Sequence, residues 1–138
     1  MHLNPKQAHA VLPKVDPGRL YKGCPVGLRD GAILALIAGG YSAVEIAALR
    51  GTNITMVGGH VVITVQRRGF QLSGPLPVDL GARVLAWLTE RRLWSTSEKV
   101  FTGVLGPLTP RGVRKILNRY CNRRPTRRLS RRGSRRSR

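Results

Sequence analysis

Acidic residues are scarce in this sequence. Six Asp and Glu stand against 25 Lys and Arg, a net charge of +19. Such a balance points to a polyanionic partner, most often nucleic acid. Aromatics make up only 5% of the chain against 41% apolar residues, so the core is expected to be aliphatic. Cysteine is limited to Cys24 and Cys121, far apart and with no CxxC partner. That excludes a disulfide framework and fits a reducing, cytoplasmic setting, nucleoid-associated if the polyanion is DNA. Long apolar runs are missing too. The longest helical one, Ala32 to Ala38, falls far short of the roughly 20 residues that span a bilayer, so no membrane partner is expected. No signal peptide is visible, and no histidine follows His60. No metal, cofactor or small-molecule substrate is expected.

What is present fits one domain with a modest core. The 138 residues are too few for two ordinary domains. Nine arginines lie in the last sixteen residues, and without them 16 basic residues still face 6 acidic ones. The basic character therefore belongs to the body as well as the tail. Three regions follow: an extended N-terminal arm over 1–26, a folded body over 27–121, and an Arg-rich tail over 122–138. The arm contains four prolines and little periodicity. The tail repeats Arg-Arg-x-Ser/Thr with Leu129 as its one apolar residue, too little to bury to order itself.

Within the body, Arg29 to Ala38 reads as a helix apolar on more than one face, with Asp30 in its first turn, where an acid suits the helix dipole. Gly39-Gly40 ends it. Ser42 and Glu45 form a capping box for a second helix, Ala43 to Leu49. Val61, Ile63 and Val65 alternate with Val62, Thr64 and Gln66, the period of a half-buried strand. Gly58-Gly59 and Arg67-Arg68-Gly69 supply turns on either side of it, and a short return strand ends at Pro75 or Pro77. Asp79 to about Arg92 carries Leu80, Val84, Trp87 and Leu88 on one helical face, with Trp87 a core anchor. Leu93 to Gly106 reads as a loop. Thr109 as N-cap and Pro110 at the first helical position open the last helix. Its apolar face is Val113, Ile116, Leu117 and Tyr120. Arg111, Arg114, Lys115 and Arg119 cover the others.

This order of helix, glycine break, capped helix and basic hairpin resembles the first half of the catalytic domain of tyrosine recombinases (phage integrases). The segment Gly39-Gly40-Tyr41-Ser42-Ala43-Val44-Glu45-Ile46-Ala47-Ala48-Leu49 is similar to the family's Thr-Gly-Leu-Arg-x-x-Glu-Leu-x-x-Leu. The hairpin, its Leu76-Pro77 end, the Trp87 helix and the Gly106-Pro107-Leu108-Thr109-Pro110-Arg111-Gly112-Val113 opening of the last helix continue the pattern. The resemblance implies an α+β, mainly helical fold with a small antiparallel hairpin sheet.

The same resemblance implies lost chemistry. Phosphoryl transfer to a tyrosine needs cations around the transition state and groups to move protons. Ser42 stands at the family's first arginine, and a hydroxyl cannot replace a bidentate phosphate clamp. Glu45 matches the acid that steadies that region. Arg68, or Arg67, stands at the hairpin lysine, where arginine is a poor proton donor. No His-x-x-Arg box or tyrosine helix follows. Ser42, Glu45 and Arg68 are therefore vestigial positions, and the expected function is non-catalytic DNA binding in a recombination or integration setting. A truncated, frameshifted or repurposed integrase would each give such a chain. The expected DNA contacts are Arg67 and Arg68 of the hairpin, Arg111, Arg114, Lys115 and Arg119 of the last helix, and Arg123, Arg124, Arg127 and Arg128 of the tail. Three other readings stand beside it. One is a helix-turn-helix regulator with a recognition helix over Thr52 to Val62. Another is a basic protein coating nucleic acid, RNA included. The last is a half-enzyme completed by a second chain.

Overall fold

Everything packs around one helix. In the computed structural model, which describes residues 3–103 and 105–122, helix α2 spans Val26–Ala38, and its residues Ala32 to Ile37 are all completely buried. A helix apolar on all sides must be covered on all sides. The other helices do this: α1 (Pro5–Val11), α3 (Ala43–Ala48), α4 (Val78–Arg91) and α5 (Pro110–Cys121) all touch α2. The remaining elements are strands β1 (Ile54–Val57), β2 (His60–Arg67) and β3 (Phe70–Pro75), an antiparallel sheet in the order β1-β2-β3, and a two-residue ladder of β4 (Thr102–Gly103) with β5 (Gly106–Pro107). The fold is α+β and mainly helical, as the sequence pattern implies.

Most local signals act as read. Ser42 Oγ accepts the Glu45 amide at 3.1 Å, and Glu45 Oε1 accepts the Ser42 amide at 2.9 Å, which completes the capping box. Thr109 caps α5 by accepting the Gly112 amide at 3.1 Å. Val61, Ile63 and Val65 point into the core. Trp87 is the expected anchor, 1% exposed, with Nε1 donating to the Val100 carbonyl at 2.8 Å and its ring stacked on Phe101.

Four expectations are corrected. The N-terminal arm is not extended. Asn4 accepts the amides of Lys6 and Gln7, Pro5 sits at the first helical position, and α1 follows. Ala8, Val11, Leu12 and Val15 are buried. Two of the four prolines read as breakers, Pro5 and Pro13, occupy the openings of helical turns, where no amide hydrogen is needed. Second, α2 begins at Val26, so Asp30 lies beyond its first turn and is fully buried, serving a polar network rather than the dipole. Third, the Leu93–Gly106 loop contains β4 and the start of β5. Fourth, a recognition helix over Thr52 to Val62 is ruled out, because that segment forms β1, a glycine turn and the start of β2. The tail arginines lie outside the described residues.

The segment before α2 is held by two close approaches. The Arg83 guanidinium of α4 crosses Gly31, with Nη2 donating to the Leu12 carbonyl at 3.2 Å. The Asp16–Arg19 turn rests on Gly27, whose amide donates to the Arg19 carbonyl at 3.0 Å. A Cβ at Gly27 would stand 2.0 Å from the Asp16 carbonyl oxygen, so only glycine fits. This docking is what brings Arg19 back over the helix bundle.

The Asp30 carboxylate joins α2 to α5. Its Oδ1 accepts Arg29 Nε at 3.0 Å, and its Oδ2 accepts the Tyr120 hydroxyl at 2.8 Å. Tyr120→Phe removes a donor from a fully buried carboxylate. A loss of about 1–3 kcal/mol in unfolding free energy is expected, read as a lower denaturant midpoint with an unchanged m-value.

Candidate nucleic-acid interface

Two basic regions emerge from this packing. The first is the corner where α3 meets the β2–β3 hairpin. The capping box fixes the Glu45 side chain at the start of α3, and the sheet register directs Arg67 toward it. Arg67 Nε donates to Glu45 Oε2 at 2.7 Å and Nη2 to Oε1 at 2.8 Å, a bidentate pair. That pairing holds the Glu45 carboxyl below its ordinary value and raises the already basic Arg67. Tyr41 lies alongside, and burial pushes its hydroxyl pKa up. Ser42 spends its hydroxyl on the cap. The charge of Arg67 is thus largely compensated within the corner.

Arg68 is different. It sits at the tip of the hairpin, exposed, and makes no ion pair among the described residues. The Arg68-Gly69 loop joins the paired residues Arg67 and Phe70 with both φ values positive, +54° and +80°. This is the two-residue turn whose twist suits a hairpin, and it favours Asn or Gly at the first position. An arginine there is strained. Phe70, 71% exposed, flanks it. Beside the corner lies a hollow of about 390 Å³ lined by Glu45, Asn53, Thr64, Gln66 and Gln71, whose amides and hydroxyls both donate and accept.

The second region is a cleft of about 780 Å³ at one end of the bundle. Lys115 and Arg119 of α5 line it together with Arg19, Lys22, Arg29 and Arg91. Tyr120 closes the interior behind them. Burial, then the adjacent Asp30 charge and hydrogen bond, raise its pKa, while the Arg19 guanidinium beside it pulls the other way.

The expected residues thus fall into separate groups. Ser42, Glu45, Arg67 and Arg68 meet at the corner. Lys115 and Arg119 face the cleft, and Arg111 and Arg114 lie on α5 outside its lining. Arg123, Arg124, Arg127 and Arg128 fall outside the described residues. Sequence reasoning missed Arg19, Lys22, Arg29 and Arg91, which come from separate parts of the chain and share no motif. Among the described residues, no group of His, Cys, Asp and Glu could hold a metal ion, and no helix is long and apolar enough to cross a membrane.

The structure is similar to the crystal structure of XerH site-specific recombinase bound to its difH substrate in a pre-cleavage complex. The TM-score is 0.59 at 22% sequence identity, covering 90% of this chain and 38% of that one. At that identity the likeness concerns the fold alone, which is similar to that of a recombinase domain. This chain spans well under half the length of the recombinase it matches. No protein-family model matches the sequence, and no curated protein does.

The corner carries a pH signature. The Glu45 carboxyl is depressed on folding, so its stabilisation is present above its ordinary value of 4.5 and lost as the pH falls through the lower folded value. Glu45→Gln is expected to cost about 1 kcal/mol at neutral pH, because the solvent around the exposed Arg67 screens the pair. The gap between variant and parent should close in unfolding titrations carried below pH 4.5. A gap of constant size down to the acid limit would show that the ion pair contributes nothing.

Proposed function

We propose that this protein binds duplex DNA on a recombinase-like scaffold without cleaving it. The observation that carries this reading is the contrast at the hairpin. The inner arginine, Arg67, is locked to Glu45, while Arg68 is held strained, exposed and unpaired at the tip. A strained cation with no ion-pair partner among the described residues is available to an external anion. The recombinase of similar fold was solved bound to its DNA substrate, which agrees with DNA as the partner.

In this reading Arg68 meets phosphate, and Arg111, Arg114, Lys115 and Arg119 of α5 add further contacts. The tail arginines contribute affinity without sequence preference, through counterion release. Arg67 acts as the strut that holds the hairpin against α3. Catalysis fails at the corner, because Ser42 offers a capped hydroxyl where a phosphate clamp is needed, and the one cation beside it is already neutralised. A site of that composition binds a phosphodiester without stabilising the charge that develops as it breaks.

Arg68→Asn separates stability from binding. Asparagine accepts the left-handed conformation, so the fold should gain about 0.5–1 kcal/mol. Duplex affinity should fall, and the slope of log affinity against log salt should flatten by about one unit, the share of a single phosphate contact. A variant that binds duplex DNA with an unchanged slope would remove the hairpin from the interface.

A further inference from the structure

The geometry points to a second binding site, the basic cleft, which takes a phosphate-bearing ligand of nucleotide size. This inference shares Lys115 and Arg119 with the duplex-binding reading, rests otherwise on residues outside it, and departs from the expectation of no small-molecule ligand. It rests on the convergence of chain segments that have no structural need to bring like charges together. Arg19, Lys22, Arg29, Arg91, Lys115 and Arg119 line one cleft of about 780 Å³, within the range of small-molecule pockets. No carboxylate lines it. The nearby Asp30 is committed to Arg29 and Tyr120, so it compensates at most one of the six cations. Like charges gathered this way repel one another in the empty state and are relieved by an anion.

Arg19 reaches the same cleft with its guanidinium beside the Tyr120 hydroxyl, whose pKa it lowers by charge and by a side-chain hydrogen bond. One further observation points to a ligand, and it is Lys22. It sits at the tip of a tight turn in which Tyr21 and Cys24 exchange backbone hydrogen bonds of 2.9 Å, with φ of +50° at Lys22 and +79° at Gly23. A lysine in the left-handed region is as strained as Arg68 at the hairpin, and here it overhangs the cleft. Tyr21, 49% exposed on the same turn, carries Lys22 Nζ 5.5 Å over one face of its ring and offers the opposite face to a base. Phosphates at the cations and a base against Tyr21 describe a nucleotide, either free or at the end of a nucleic-acid strand.

The test uses the full chain at physiological salt, titrated calorimetrically with ATP, with pyrophosphate, and with a short single strand bearing either a 5′-phosphate or a 5′-hydroxyl. Lys22→Gln/Arg91→Gln alters two exposed cleft cations, and because the Arg91 guanidinium lies 5.7 Å over the Trp87 ring, the variant's unfolding midpoint is measured beside its binding. Arg19→Gln tests the inner cation beside Tyr120, and Lys6→Gln/Lys14→Gln removes as much charge as the Lys22/Arg91 pair, away from the cleft. Saturable binding near one ligand per chain is expected, weakened about tenfold or more by each cleft variant and unchanged by the Lys6/Lys14 control. Binding of ATP identifies a free nucleotide. Binding confined to the 5′-phosphorylated strand identifies a strand end. The proposal is overturned if no saturable site appears, or if cleft and control variants lose affinity equally. Duplex binding measured on the same variants keeps the two readings apart, since the Lys22/Arg91 pair lies outside the proposed duplex contacts.

Discussion

The structure depends on a carboxylate that water cannot reach. Asp30 is completely buried in α2, the helix that every other helix touches. An ionised carboxylate in such a place must have its oxygens satisfied, because an isolated buried charge is prohibitively unfavourable. Arg29 satisfies one oxygen and Tyr120 the other. Arg29 also donates to the Thr102 carbonyl at 3.3 Å, fixing the small ladder. The α5 helix is thereby locked in register on α2, and its apolar face falls into place. The same requirement draws Arg29 to the floor of the cleft, so the polar network that orders the core also begins the basic site.

Much of this was legible from local rules. The capping box at Ser42 and Glu45, the Thr109-Pro110 opening of α5 and the alternation through Val61, Ile63 and Val65 each involve residues within a few positions of one another. The physics that fixes them is equally local, and the structure agrees at each. What escaped involves groups brought together from afar. Asp30 read as a dipole-suited acid because its partner Tyr120 lies in another helix. The cleft cations escape for the same reason, since their convergence exists only after the turn before α2, α4 and α5 have packed about α2. The N-terminal helix is a different failure: Asn4-Pro5 is a valid start signal, but proline count outweighed proline position.

The recombinase resemblance fares similarly. Order and spacing of weak motifs anticipated a fold that the structural comparison supports, and under the proposed reading the corner gives the physical reason for binding without cleavage. Ser42 and Glu45 still build the start of α3, which is a structural role. Arg67 still reaches Glu45, which closes the hairpin onto the helix. What the corner lacks is a positive charge at Ser42 itself, since Arg67 is paired with Glu45 and Arg68 stands out at the hairpin tip. Removing one pre-organised charge from such a site lowers a rate by on the order of 10²–10³, and the losses compound where residues act as a unit.

The central claim is binding without cleavage, and a nicked suicide duplex tests it most directly, because it traps a covalent 3′-phosphotyrosine if one forms. The account predicts that the protein retards this duplex in a native gel and leaves no adduct after denaturation, with Ser42→Arg behaving the same way. A denaturation-resistant DNA–protein adduct that disappears with Tyr41→Phe or Tyr120→Phe would contradict it.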